Sequence, residues 1–203
     1  MTYLARFAVA VIGLAAFACA AGDRSNAEAP TTTPAASIVP AATASPAPDD
    51  RDDRSDTNEL TGTTDVTDRS GKISKAAILT AVRAAGHKGF DRVVFEFAGP
   101  ALPGYRIEYL DRPATQCGSG ESVSLNGNAR LSVRFRPANA HTENGEATVT
   151  ERDMMPGLVA VKQLTSTCDF EADVEWVGGI VDAKPYRVLE LKNPTRLAID
   201  IDH

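Results

Sequence analysis

Over most of residues 71–203, apolar and polar side chains alternate with a period of two. This spacing turns one face of a β-strand to a core and the other to water. Val93, Phe95 and Phe97 share a face, as do Leu131, Val133 and Phe135. The same holds for Phe170, Ala172, Val174 and Trp176, and for Leu197, Ile199 and Ile201. Further strands are expected over residues 78–83, 105–110, 158–164 and 186–191. Residues 72–85 fit either an amphipathic helix or a strand, and the strand is favoured for their second half. Turn-forming residues separate these runs: Gly86 and Gly89, Gly99 and Gly104, Asn126-Gly127-Asn128, Asn144-Gly145, Met155-Pro156-Gly157, Gly178-Gly179 and Asn193-Pro194. Eight or nine short, mainly antiparallel strands at this spacing predict an all-β fold, a β-sandwich.

The first part of the chain reads differently. Residues 7–18 form an apolar run behind Arg6 that ends in Ala16-Phe17-Ala18-Cys19. The run falls short of the ~20 residues that span a bilayer and fits an export signal over residues 1–18. Two processing routes are open. Ordinary signal-peptide cleavage after Ala-x-Ala would leave a secreted protein with a free Cys19. Lipobox-type cleavage would leave Cys19 acylated, with the protein held at the outer face of the cell membrane. Two acyl chains anchor stably where one does not.

Residues 19–70 hold no sustained apolar period. Their Pro-, Ala- and Thr-rich composition cannot offset chain entropy by burial, so a disordered tether is expected. Charge is divided along the same line. Residues 20–70 carry ten carboxylates against four basic side chains, whereas residues 71–203 carry seventeen against sixteen. A near-neutral domain argues against a nucleic-acid partner.

Candidate chemistry is sparse. With Cys19 acylated, Cys117 and Cys168 remain as a disulfide candidate, the usual fate of paired cysteines in an exported chain. Closing a loop of about fifty residues contributes about 4 kcal/mol in the chain-entropy model. A metal site is the alternative, but His87, His141 and His203 show no ligand spacing with each other or with the cysteines, and no cofactor is expected. Ser119 lies in Gly118-Ser119-Gly120, without the spacing of a nucleophile elbow. Asp200 and Asp202 alternate onto one face of the last strand, where solvation is expected. His203 is likewise expected in solvent. Asp91 and Arg92 are expected to form a local ion pair beside His87, the histidine best placed for a ligand. His141 sits in a polar loop, and Trp176 is expected in the core. Glu171, Asp173 and Glu175 on one strand would complement Arg130, Arg134 and Arg136 on another if the two were neighbours.

Four segments carry a family likeness: residues 86–97, from Gly86-His87-Lys88-Gly89-Phe90-Asp91-Arg92; Arg136-Pro137-Ala138-Asn139-Ala140-His141; residues 169–176; and residues 186–201, including Asn193-Pro194-Thr195-Arg196-Leu197. Together they resemble the AMIN-like domain of actinobacterial envelope lipoproteins over most of residues 76–203. The first and last are also similar to the AMIN domain proper, than which this chain has a longer middle, residues 111–180. The resemblance implies a β-sandwich that binds peptidoglycan or another wall component and performs no catalysis. His87, Asp91, Arg92, His141, Arg187 and Arg196 are the candidate ligand contacts. An envelope protein-interaction or assembly factor is the alternative, and a hydrolase with an unfamiliar site the remote one.

Overall fold

The structure is a computed structural model and describes residues 62–203, so Cys19, the export signal and most of the expected tether lie outside the described residues. The strands are β1 (Thr67–Arg69), β2 (Ala77–His87), β3 (Phe90–Ala98), β4 (Gly104–Tyr109), β5 (Ala114–Thr115), β6 (Ser122–Val123), β7 (Ala129–Arg136), β8 (Ala138–Asn139), β9 (Asp153–Met154), β10 (Val161–Phe170), β11 (Asp173–Ile180), β12 (Tyr186–Leu191) and β13 (Thr195–Asp202). No helix occurs among the described residues. The strand reading of residues 78–85 therefore holds, and residues 72–76 form an irregular strap.

One sheet runs β1-β4-β7-β11-β10-β9 and the other β12-β13-β3-β2-β8; β5 and β6 form a separate hairpin. All pairings are antiparallel except β2 with β8. The inward faces meet in one core that takes in Phe95, Phe97 and Ile199 from one sheet and Ile107, Phe135 and Trp176 from the other. The Phe135 ring joins the sheets, with its centroid 5.0 Å from Phe95 and 4.9 Å from Phe97 in tilted and edge-on geometry.

Two readings of the pattern are corrected. Residues 170–176 are not one strand. Glu171 and Ala172 take φ of 51° and 59° and turn the chain between β10 and β11. Phe170 therefore leaves the core face and stands 62% exposed. Gly178-Gly179 is no turn but lies inside β11. There Gly179 faces the Asn126 carbonyl so closely that a Cβ would collide with it, and glycine in a strand often marks such a backbone approach.

The expected charge complementarity is present in part. β7 and β11 are neighbours, with Arg134 opposite Glu175. Arg134 reaches Asp173 and Glu175 at 3.5 and 3.6 Å, and Ser132 and Thr167 hydroxyls donate to Glu175 at 2.7 and 2.8 Å. Glu171 is removed from this ladder by the turn.

Residues 110–128 make an excursion across the outer face of the six-stranded sheet. Ala114 and Leu125 pack there on Val177 as a small second core. The disulfide Cys117–Cys168, with Cα atoms 5.2 Å apart, fastens this flap to β10. Ser119 belongs to its exposed turn, where its hydroxyl accepts the Glu121 N–H at 3.2 Å.

The described fold reaches ahead of residue 71. Thr63 and Tyr186 exchange both backbone hydrogen bonds, at 2.9 and 2.8 Å, and β1 then extends the six-stranded sheet. The Tyr186 hydroxyl donates to the Asp65 carbonyl at 2.5 Å and lies 3.1 Å from Thr67 Oγ1. Residues 62–70 thus close the side of the sandwich where β12 and β1 are the edge strands. Tyr186→Phe removes this tie and is expected to lower stability by about 1–2 kcal/mol, measured by chemical denaturation; an unchanged unfolding midpoint would show that the closure does not depend on the hydroxyl.

Candidate functional site

Strand alternation sorts the candidate ligand contacts. On the outer face of the five-stranded sheet, two adjacent rungs run across the β12–β13–β3–β2 region. Arg187, Asp200 and Arg92 stand opposite one another in one, and Asp202, Phe90 and His87 fall in the next. The His87 ring stacks on Phe90 at 4.8 Å with an interplanar angle of 4°. The guanidinium carbons of Arg92 and Arg187 lie 5.5 and 5.6 Å from the Phe90 ring centroid, within cation–π range. Arg187 donates to Asp202 at 2.8 Å and remains 27% exposed. His87 is exposed, while Phe90 and Arg92 are buried. Arg196 lies on the same face, opposite Glu96, four residues along β13 from Asp200.

The expected Asp91–Arg92 ion pair does not form, because adjacent residues on a strand point to opposite faces. Arg92 grips Asp200 with two hydrogen bonds of 2.7 and 3.1 Å. Asp200 is consequently buried rather than solvated: β13 is an inner strand, between β12 and β3. Asp91 points into the sandwich, where Oδ2 accepts the backbone N–H groups of Ala160 and Val161 at 2.6 and 3.0 Å. It is a structural carboxylate, out of reach of a surface ligand. His203, expected in solvent, instead places Nε2 3.4 Å from Asp91 Oδ1, its side chain only 19% exposed.

His141 is not part of this cluster. It follows β8, which pairs with the start of β2, whereas His87 ends β2. The two ends of that strand are about 30 Å apart at ~3.3 Å per residue. His141 Nδ1 is 2.9 Å from Asp169 Oδ1, which also accepts the Ala140 N–H at 2.8 Å. Arg152 donates to Asp169 Oδ2 at 2.8 Å. Burial pushes the Asp169 carboxyl up, but these three donors outweigh it and hold the group below its usual range.

Among the described residues no group of His, Cys, Asp and Glu is arranged to hold a metal ion. Sequence reasoning missed the seam at residues 62–70. There Glu190 pairs with Arg69 and accepts the Tyr105 hydroxyl at 2.9 Å. Burial, with the Glu190 contact, pushes that phenol up to about 12. No spacing rule points to such a contact, since its partners come from separate strands.

The family model of the AMIN-like domain matches residues 77–203, and the chain belongs to that family. No curated protein and no solved structure matches it. AMIN-like domains are non-catalytic binding domains of extracytoplasmic, cell-wall-associated proteins.

A lowered carboxylate pKa gives stability that is present above the unfolded value and lost as pH falls through the folded one. Asp169→Asn is therefore expected to be about 1–3 kcal/mol less stable than the parent at pH 7. The gap should narrow below about pH 4, where aspartate is protonated in the unfolded chain. Denaturation curves at pH 7 and pH 3 check this; an equal gap at both would show that the charge of Asp169 contributes nothing.

Proposed function

We propose that this protein is an envelope lipoprotein, held to the membrane through acylated Cys19, whose AMIN-like domain binds peptidoglycan through the outer face of its five-stranded sheet. The observation that carries the reading is the pair of rungs around Phe90. They bring the His87 imidazole and the Arg187 guanidinium to the same Phe90 ring, from β2 and β12 on either side of it. Such donors, spaced by strand registry, suit the hydroxyl, amide and carboxylate groups of a wall polymer. Arg92 and Asp200 beneath them hold the strands in register and make no ligand contact.

A second reading, an envelope assembly factor that binds protein, is favoured by one feature. The loop after β9 exposes two apolar side chains, Met155 at 67% and Val159 at 59%. Crosslinking in intact cells through this loop separates the two readings, because only the second requires a protein partner there.

Retention of the protein on insoluble peptidoglycan tests the first reading. The parent is expected to sediment with the wall at low and moderate salt, and His87→Ala/Arg187→Ala to lose at least tenfold in affinity while melting like the parent. Failure of the parent to sediment at either salt overturns wall binding. Intact mass of the mature protein tests the anchor, which requires a diacylglyceryl adduct on a chain beginning at Cys19.

A further inference from the structure

The strap that leads from β1 into β2 passes so close to β4 that Gly71 and Gly104 meet backbone to backbone. A Cβ on Gly104 would fall 2.6 Å from the Gly71 nitrogen, and one on Gly71 would run into Gly104. This approach leaves a cavity of about 280 Å³ on one side of the strap, between residues 69–73, the loop 100–102 and the β12–β13 hairpin. Its apolar lining includes Ile73, Pro100, Leu102 and Leu191. Arg69, Lys72 and Lys192 supply its cations and Glu190 its carboxylate. Glu190 is already neutralised by Arg69. Lys72 and Lys192, both exposed where they line the cavity, form no ion pair among the described residues, so their ammonium groups are available to a ligand beside an apolar wall. On the other side of Gly71, a second concavity of about 360 Å³ adds Arg106, Arg134 and Arg136. Arg136 is 73% exposed, and its nearest carboxylate is 4.0 Å away.

We propose that this cavity binds the carboxylate end of a peptide whose last residue has a small apolar side chain. The carboxylate takes charge-assisted hydrogen bonds from Lys72 and Lys192. The terminal side chain lies against Ile73 and Leu102. Upstream peptide leaves past Gly71 toward the arginines of the second concavity. A neutral sugar has no use for two ammonium groups, and the lining offers no aromatic ring for a sugar face to stack on. A cavity this small, just under the usual size of a small-molecule pocket, takes a chain end rather than a folded surface. The site is separate from the His87–Arg187 face, and it stands or falls independently of wall binding there.

The test uses the whole chain and the dipeptide acetyl-Ala-Ala in four forms: free carboxylate or carboxamide, each with L,L or D,D stereochemistry. Binding is followed by calorimetry or by NMR. The carboxylate is expected to bind saturably and at least tenfold more tightly than its amide. Lys72→Gln/Lys192→Gln should lose at least tenfold in affinity, Lys72→Arg/Lys192→Arg should retain most of it, and both should melt like the parent. A preference for L,L marks a protein C-terminus as the source and a preference for D,D a wall stem peptide; both support the site. His87→Ala/Arg187→Ala is expected to bind the dipeptide unchanged. Equal binding of acid and amide, no saturable binding of either, or loss of binding in His87→Ala/Arg187→Ala overturns the proposal.

Discussion

The two halves of this domain are held in relation by one dipeptide. Asp91 and Arg92 are adjacent in β3, so the pleat sends their side chains to opposite faces of the sheet. Arg92 turns outward to Asp200 and clamps β13 to β3 by a buried, two-point contact. Asp91 turns inward and takes the backbone N–H groups that open β10, tying the five-stranded sheet to the six-stranded one. Each charge is buried with a partner, the condition under which burial is tolerated at all. Removing Arg92 or Asp200 would strand the other, which typically costs about 3–5 kcal/mol. Two residues that read as a surface ion pair are thus the hinge pin of the core, and the ligand-facing role passes to the neighbouring His87 and Arg187.

The eight longest strands overlap the eight runs expected from hydrophobic alternation, although β3, β10 and β13 are buried on both faces rather than wet on one. What alternation could not reveal was where a strand reverses without a conventional turn residue. Glu171 and Ala172 adopt left-handed backbone angles that favour glycine or asparagine, so residues 169–176 read as continuous. The inverse error arose at Gly178-Gly179, where two glycines serve a close backbone approach inside a strand. Asp200 was misplaced for a related reason: sequence position suggested a terminal strand, whereas topology makes β13 an inner one. The seam at residues 62–70 was hidden because its contacts are a backbone exchange with Tyr186 and a tyrosine hydroxyl, neither of which imposes a periodic pattern.

Of the candidate site, the cluster of His87, Arg92 and Arg187 assembles around Phe90, a residue not singled out as a contact. Asp91 and His141 separate from it, one into the core and the other to the far end of β2. The cavity behind Gly71 was invisible in advance, because its walls come from three distant stretches and its shape depends on the absence of two Cβ atoms.

The Thr63–Tyr186 exchange has a mechanical meaning. A pull on the chain upstream of residue 62 meets, as the first backbone contact of the described fold, one pair of hydrogen bonds on an edge strand. Those bonds open before any continuous ladder is loaded. Residues 62–66 would then peel from β12 while both sheets stay intact. An edge contact of this kind behaves as a fuse, releasing slack under tension and re-forming when the tension falls.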